Sequence, residues 1–504
     1  MTKRIINLLV ILIFLFCADK VITAQNKDSL FIYKTNNESG IVDFKLFLKE
    51  NPANINLLNY SPITNISIFA NYQDGDKGIY QNGLKNTEYG IIVNSLKYMK
   101  GNNTVWGNVV YRNGDTDKST MNESSNYDIV YPYVISDTII SNNLKYEEYA
   151  FSGGYNHILD NFNLAMFVSY KAREEYRAID PRPDNTSSDL KFSLGANLNI
   201  NEKYKTGLAL HIRKYKQNDV LEFHSILGSP AVYLMNGLGT YNHLFSGEYH
   251  DILFDGLEYG ATLNFLSNAN GFNAQASYKR FNIDRDLSEL VYIASSKIKQ
   301  NKASFNISYD KVKGQNTLAL KLSGLYNNRN GEELKYKYYS SNIYKFLSSS
   351  QNYKNNILTA SISGLLEHKI NNIDRWNINT YASYINSEET YNSLAREISY
   401  SNIIEGIRAN YLTKRGDYLL KSSASLRLTQ NINNTFSLNG LSEYPTFYKI
   451  EKFNFEYLTS EEPEFSLSLG LSKHISENVL IDANAIGSYS SIRHSLMLNI
   501  GITF

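Results

Sequence analysis

Residues 495–504 of the chain read Ser-Leu-Met-Leu-Asn-Ile-Gly-Ile-Thr-Phe. The large apolar residues of this stretch occupy one parity, and small or polar residues occupy most of the other. Successive side chains of a β-strand point to opposite faces, so the stretch predicts a strand with one apolar and one polar face. Such a strand fits a soluble β-sandwich as well as a membrane-spanning β-barrel.

The ending of this strand favours the barrel. The chain stops on an aromatic residue, Phe504, and Ile502, Ile500 and Leu498 precede it at every second position. This arrangement resembles the assembly signal of bacterial outer-membrane β-barrels. The resemblance implies that the barrel-assembly machinery is a partner during biogenesis and that outer-membrane lipid surrounds the folded protein.

The other end of the chain has the pattern of an export signal. Lys3 and Arg4 precede an apolar run over residues 5–16, and a short Ile-Thr-Ala sequence ends at Ala24. This pattern predicts a secretory signal peptide over residues 1–24. The apolar run is too short to cross a bilayer as a helix.

Composition excludes several classes of protein. The 50 Lys and Arg residues nearly balance the 49 Asp and Glu residues, so there is no basic excess of the kind that binds nucleic acid. The one cysteine, Cys17, lies inside the expected signal, where Phe16 disfavours lipidation. The mature chain is therefore expected to lack disulfides and thiolate metal sites. Forty tyrosines against two tryptophans suit the aromatic girdles of a membrane barrel.

From residue 63 onward, alternating segments follow one another, most clearly over residues 190–200. Short Asn, Asp and Gly turns alternate with long connections, the largest being residues 114–145, 217–256, 328–353 and 431–461. The sequence therefore predicts an all-β fold, a single transmembrane antiparallel up-and-down β-barrel over residues 61–504. It has about 18 strands, with 16 as the alternative count, short periplasmic turns and long external loops.

Residues 25–60 precede the first strand and are predicted to form a periplasmic N-terminal segment. Residues 41–48 have the mixed pattern of a short helix. The segment is too short for the plug domain of an energy-coupled transporter, but it is long enough for a small hatch in the barrel mouth. The Asn51-Pro52-Ala53 sequence is similar to one in the hatch of fatty-acid channels.

The polar face of the predicted strands carries charged residues, which are Lys191, His211, Arg213, Lys321, Lys421 and Arg427. Charges turned towards lipid would cost ~2–4 kcal/mol each at the bilayer midplane, so this face lines the lumen. A polar lumen of this size holds water unless loops or the N-terminal segment fill it. His211 and Arg213 are therefore candidates for contacting a ligand or forming a constriction.

The most distinctive motif is residues 176–185, Tyr-Arg-Ala-Ile-Asp-Pro-Arg-Pro-Asp-Asn. Here the chain resembles an uncharacterised family of outer-membrane β-barrel proteins from Gram-negative, gut-type bacteria. The resemblance implies the barrel and the outer membrane, and it carries no activity. Arg177, Asp180 and Arg182 could form an inward constriction or ligand contact, but a rigid turn that staples the loop is the favoured interpretation.

A second loop, at residues 226–235, is too apolar to lie uncovered in water. Its large side chains are Ile226, Leu227, Val232, Tyr233, Leu234 and Met235. The loop is expected either to fold into the lumen as a plug or to dock on a partner. His224, His243 and His250 flank it at spacings that match no metal motif, so no metal site and no cofactor are expected.

Three functions remain for such a barrel. The leading one is a channel or transport component for an unknown solute, alone or in an uptake complex. The second is a plugged barrel that acts as a scaffold or surface-binding module for a lipoprotein or an extracellular ligand. A lipid-modifying enzyme is the least favoured, because the sequence shows no phosphate loop, zinc motif or calcium loop and no distinguishable nucleophile and base.

Overall fold

Eighteen antiparallel strands form a closed barrel in the computed structural model of the chain, as the sequence predicts. The structure describes residues 28–137, 142–225, 231–247, 251–290, 293–340 and 343–504, so the expected signal peptide lies outside the described residues. Each barrel strand pairs with its two neighbours in sequence, and the first strand pairs with the last. No helix within these residues is both long and apolar enough to cross a membrane.

The barrel strands are β1 Thr64–Gly75, β2 Lys85–Met99, β3 Asn103–Asp117, β4 Leu144–Ile158, β5 Phe162–Tyr176, β6 Arg182–Asn199, β7 Tyr204–Asp219, β8 Ile252–Ser267 and β9 Phe272–Leu287. The second half contains β10 Ile293–Lys313, β11 Asn316–Ser340, β12 Ile343–Lys369, β13 Arg375–Tyr391, β14 Arg396–Arg415, β15 Tyr418–Ser437, β16 Glu464–Ser476, β17 Val479–Tyr489 and β18 Arg493–Thr503.

The last strand closes the barrel. Residues Arg493–Thr503 pair with β17 on one side and with β1 on the other. Beyond the strand, the Thr64 N–H donates to the Phe504 carbonyl at 2.7 Å, and the Phe504 N–H donates to the Thr64 carbonyl at 2.9 Å. The alternating stretch with which the chain ends is therefore the seam of the barrel.

The two faces of the strands differ as their parity predicts. Leu498, Ile500 and Ile502 point outward and are exposed, whereas Asn499 lies on the lumen face and donates to the Ser67 hydroxyl. Exposed aromatic rings lie towards both ends of the outer face, for example Tyr411 near the short turns and Tyr72 near the loop end. The outer face therefore has the apolar band and the aromatic residues of a membrane barrel.

One predicted loop is wrong. Residues 328–353 are not an irregular connection, because β11 and β12 run on as a hairpin to Ser340 and Ile343. Residues 335–339, Lys-Tyr-Lys-Tyr-Tyr, continue the alternation beyond the apolar band. Cross-strand pairing extends the hairpin past the point at which apolar periodicity ends.

The remaining elements lie at the two ends of the barrel. The N-terminal segment forms helix α1 Ser29–Asn37, helix α2 Gly40–Phe44 and two 3₁₀ helices, Leu46–Glu50 and Pro52–Leu58. The loops contribute helix α3 Tyr127–Val130, helix α4 Pro445–Leu458 and short strands at Ile135–Ser136, Leu221–Glu222, Tyr233–Gly237 and Thr240–Tyr241.

Candidate functional site

The N-terminal segment lies inside the turn end of the barrel, and we call residues 28–60 the hatch. Lys34 Nζ lies 2.9 Å from Asp482 Oδ1 on β17, and Lys45 Nζ lies 2.9 Å from Asp310 Oδ1 on β10. These two strands stand on nearly opposite sides of the ring, and both carboxylates are buried. The hatch therefore spans the lumen and is tied to the wall by buried ion pairs.

Asn51 fixes one side of the hatch. Its Nδ2 donates to Asn197 Oδ1 at 3.1 Å and to Asn264 Oδ1 at 3.0 Å, and its Oδ1 accepts from the Ala53 N–H at 3.0 Å. A Cβ added at Gly195 would lie 2.1 Å from Asn51 Oδ1. A side chain at position 195 would therefore displace this turn of the hatch.

The loops close the opposite end. We call residues 118–137, 231–247 and 438–458 the loop plug, because their apolar side chains form one buried cluster with the barrel wall. Ile135, Leu234, Leu238, Phe245 and Leu441 have no exposed surface at all. This cluster fills the loop end of the lumen with apolar side chains.

Three wall arginines hold the loop plug by its main-chain carbonyls. Arg285 Nη1 donates to the Met235 carbonyl at 2.9 Å, and Arg396 Nη1 donates to the Leu238 carbonyl at 2.9 Å. Arg329 Nη1 donates to the Tyr131 carbonyl at 2.7 Å. The main chain of the inward-folded loops thereby finds the hydrogen-bond partners that a buried segment requires.

Acidic and phenolic groups meet beneath helix α4. The Tyr131 hydroxyl donates to Glu389 Oε1 at 2.5 Å, and burial raises the pKa of Tyr131 well above its usual value. Burial, together with the neighbouring Glu389 carboxylate, raises the pKa of Glu451 to about 8. Glu451 is therefore largely protonated near neutral pH while the loop plug is closed.

Between the hatch and the loop plug lies a polar part of the lumen, which we call the chamber. Arg213 makes a bidentate contact with Asp189, at 2.7 and 2.9 Å. Lys279 Nζ reaches Glu50 of the hatch at 2.7 Å, although Lys279 and Lys302 are direct cross-strand partners on the lumen face. Like charges opposite each other are destabilising, so the hatch carboxylate compensates part of this wall.

His211 is also on the chamber wall. Its Nδ1 lies 2.9 Å from the Ser193 hydroxyl and its Nε2 lies 2.9 Å from the Thr262 hydroxyl. Both ring nitrogens are thus occupied by wall hydroxyls. The imidazole faces the lumen, away from the lipid edge at which a lipid-modifying enzyme would need its catalytic groups.

A cavity of about 580 Å³ opens between the hatch and the wall formed by β1 to β5. Its amide side chains come from both sides, and they are Asn37, Asn51, Asn65, Asn94 and Asn108. Its aromatic side chains are Tyr60 on the hatch and Trp106 and Phe167 on the wall. The hatch therefore leaves a sizeable polar and aromatic space on one side of the lumen.

The structure separates the predicted motif from the lumen residues. Arg177 is buried at the rim, where its Nη2 contacts Glu123 Oε2 at 2.7 Å and its Nε donates to the Pro181 carbonyl at 2.8 Å. Asp180 accepts from Arg182 Nε at 2.7 Å and from the main-chain N–H of Ser225 at 2.6 Å. These three motif residues tie loops together at the rim, whereas His211 and Arg213 line the chamber.

The apolar loop is only partly described. Ile226 and Leu227 lie outside the described residues. Val232, Leu234 and Met235 are buried in the loop plug, and the Tyr233 ring packs against Phe447 of helix α4 with 5.1 Å between centroids. The described half of this loop thus folds into the barrel.

Several residues of the site were not found from the sequence. Trp106 lies on the polar parity of β3, between Val105 and Gly107, and that placement was a usable signal for an inward aromatic side chain. The wall arginines at strand ends gave no local signal, because their partners are carbonyls in distant loops. Within the described ranges, no three His, Cys, Asp or Glu side chains are grouped so that they could hold a metal ion.

The closed barrel, its apolar outer face and its two internal closures define a plugged β-barrel of the membrane-spanning class. The chain belongs to the family of unknown function DUF6850, whose model matches residues 52–504. No curated protein matches the sequence.

The solved structures that match the chain include two receptors and a transporter. A mutant of the ferric enterobactin receptor PfeA from Pseudomonas aeruginosa is 8% identical over 88% of this chain and 81% of that chain, with a TM-score of 0.35. The siderophore receptor PiuA from Acinetobacter baumannii is 7% identical over 88% and 82%, with a TM-score of 0.41. The copper transporter OprC is 6% identical over 88% and 82%, with a TM-score of 0.41.

Proposed function

We propose that the protein is an integral outer-membrane barrel that passes a solute from the outside to the periplasm. The hatch and the loop plug act as two closures in series, and the chamber between them is the compartment through which the solute moves. No catalytic step is assigned to any residue. In this orientation the short turns and the hatch face the periplasm, and the long loops and the β11–β12 hairpin face outward.

The chamber carries this proposal. A barrel that served only as a scaffold would gain stability from a lumen filled with apolar side chains. Here apolar packing is concentrated in the two closures, while the space between them is lined by charged, amide and hydroxyl groups. A cavity of about 580 Å³ lies beside the hatch, between it and the wall. The hatch is tied to the wall largely through polar contacts, which water can replace when it moves.

A second function is favoured by the outer part of the hairpin. Tyr338, Tyr339, Ile343, Phe346 and Leu347 are all more than half exposed there. Large exposed apolar side chains on a projecting hairpin suit a surface that binds a lipoprotein or an extracellular ligand. Such a partner is compatible with transport, if it delivers the solute, and with a scaffold, if the chamber stays closed.

Proteoliposome swelling tests the passage of solute. In one variant both closures are loosened, by Lys45→Gln with Glu50→Gln in the hatch and Arg285→Met with Arg396→Met beneath the loop plug. We expect this variant to admit small sugars such as arabinose, while the matched control Lys452→Gln does not. Lys452 makes an exposed ion pair with Glu456 on helix α4. If the variant with both closures loosened is folded and heat-modifiable but admits no solute, transport is rejected in favour of the scaffold.

A further inference from the structure

The cavity beside the hatch has the dimensions of a ligand site. Its volume of about 580 Å³ falls within the range typical of small-molecule pockets, ~300–1,000 Å³. The hatch contributes one side, which includes Tyr60, and strands β1 to β5 contribute the facing wall. Among the described side chains that line it, Lys49 is the one that carries a charge, and its Nζ lies 4.8 Å from the centre of the Tyr60 ring.

The indole ring of Trp106 is held in a fixed orientation at the wall of this cavity. A Cβ at Gly154 would lie 2.1 Å from the nearest atom of the indole ring. The glycine therefore lets the ring lie directly against the main chain of β4. The ring also packs on the apolar residues of the hatch, which include Ile55 and Leu58. Trp106 is thus fixed in place before any ligand binds.

A pair of amides extends from the same wall. Asn94 and Asn108 are direct cross-strand partners, and Asn108 Nδ2 donates to Asn94 Oδ1 at 2.8 Å. Both residues line the cavity, and Asn94 Nδ2 and Asn108 Oδ1 have no hydrogen-bond partner among the described residues. One free donor and one free acceptor therefore sit beside the indole ring.

This chemistry selects among ligand classes. An anion would meet one cationic side chain in this cavity, Lys49, whose Nζ lies over the Tyr60 ring. The chamber cations nearest the hatch are engaged, Lys279 by Glu50 and Arg213 by Asp189. One lysine cannot neutralise a multiply charged anion, so the lining does not favour that class of ligand. A purely apolar ligand would leave the amides without partners, which is costly in an enclosed site. A sugar ring offers C–H groups on its faces for aromatic contact and hydroxyl groups at its edge that both donate and accept.

We propose that this cavity binds a neutral saccharide, a proposal that rests on the assignment of the chamber as a solute compartment. Trp106 and Phe167 provide contact surfaces for the sugar faces. Asn94 and Asn108 provide the donor and the acceptor for neighbouring hydroxyl groups. The saccharide is therefore held between the hatch and the wall, in a position that movement of the hatch would expose to the periplasm.

Tryptophan fluorescence of the purified full-length protein tests the proposal. The chain has two tryptophans, and the Trp376→Phe background isolates Trp106. The probes are neutral oligosaccharides of three to six residues prepared from starch, cellulose, xylan and mannan, with citrate and inorganic triphosphate as anionic probes. We expect at least one oligosaccharide preparation to change the fluorescence saturably and the anions to have no effect.

Two variants locate the binding. Asn94→Leu with Asn108→Leu is expected to weaken binding by roughly tenfold or more, because two hydrogen bonds are lost. The matched control is Asn328→Leu, which removes an amide pair with Asn356 outside the cavity and should bind as the parent does. Binding of an anion alone, no response to any oligosaccharide, or equal binding by the double variant would overturn the proposal. If no saccharide binds but the variant with both closures loosened still admits solute in the swelling assay, only the solute class is wrong. If a saccharide binds but that variant admits no solute, only the transport function is rejected.

Discussion

Arg285 lies almost fully buried beneath the loop plug, and its Nη1 donates to the main-chain carbonyl of Met235 at 2.9 Å. The same guanidinium donates from Nε to the Ser295 hydroxyl and lies 4.9 Å from the centre of the Tyr133 ring. One wall side chain therefore holds two separate parts of the loop plug. This contact shows how an apolar loop can be kept inside a polar barrel.

Replacing Arg285 with methionine should loosen the loop plug. The Met235 carbonyl would lose its partner, and each buried acceptor left unpaired costs about 1–3 kcal/mol. We expect residues 231–247 to become sensitive to external protease while the barrel stays heat-modifiable. Arg280→Met on the outer face of the same strand is the control, and equal protection of both variants would contradict the assigned role.

The closure of the loop plug should depend on pH through Glu451. Its pKa is about 8 in the closed structure against an ordinary value of 4.5, so the closed form binds a proton that the open form releases between these values. Closure is therefore most stable below about pH 4.5 and weakens as pH rises towards 8. Protease protection measured from pH 5 to 8.5 should fall, and Glu451→Gln should make the fall shallower. An unchanged slope in this variant would assign the effect to another group.

Gly195→Ala should displace the hatch. The new Cβ would lie 2.1 Å from Asn51 Oδ1 and 2.9 Å from the Pro52 ring, so the turn at Asn51 must move. Overpacking of this kind costs about 1–3 kcal/mol. Thermal unfolding in detergent should show a lowered midpoint, whereas Gly487→Ala, whose Cβ would meet its nearest atom at 3.9 Å, should unfold like the parent. Similar midpoints for both variants would mean that the hatch does not pack as described.

Neighbouring residues of the last strand should lose different amounts of stability when a charge is introduced. Ile500→Lys places an ammonium on the outer face, where it costs ~2–4 kcal/mol near the midplane, while Asn499→Lys places it in the lumen. Urea unfolding in lipid vesicles should show a large loss of stability for the first variant and a small one for the second. Equal losses would mean that the outer face does not contact lipid.

The barrel was predictable because strand parity is a local signal that repeats along the chain. Residues 190–200 and 495–504 alternate so regularly that the face on which each side chain lies follows from the sequence alone. The hatch was predictable as a segment, from its position before the first strand. Its contacts were not, because Lys34 and Lys45 find partners hundreds of residues away.

The cavity could not be predicted from the sequence for the same reason. Trp106, Asn94 and Asn108 each follow the strand pattern, and only the paired strands and the seated hatch bring them around one space. The motif around Asp180 is the converse case. Its residues were conspicuous in the sequence, yet the structure uses them as a loop staple at the rim.

We propose that the hatch and the loop plug close one path in series. Single-channel recording in planar bilayers tests it with four proteins: the parent, the hatch variant Lys45→Gln with Glu50→Gln, the plug variant Arg285→Met with Arg396→Met, and the combination. We expect little or no conductance from the first three and clear channel openings from the combination. Full conductance from either single-closure variant, or none from the folded combination, would contradict it.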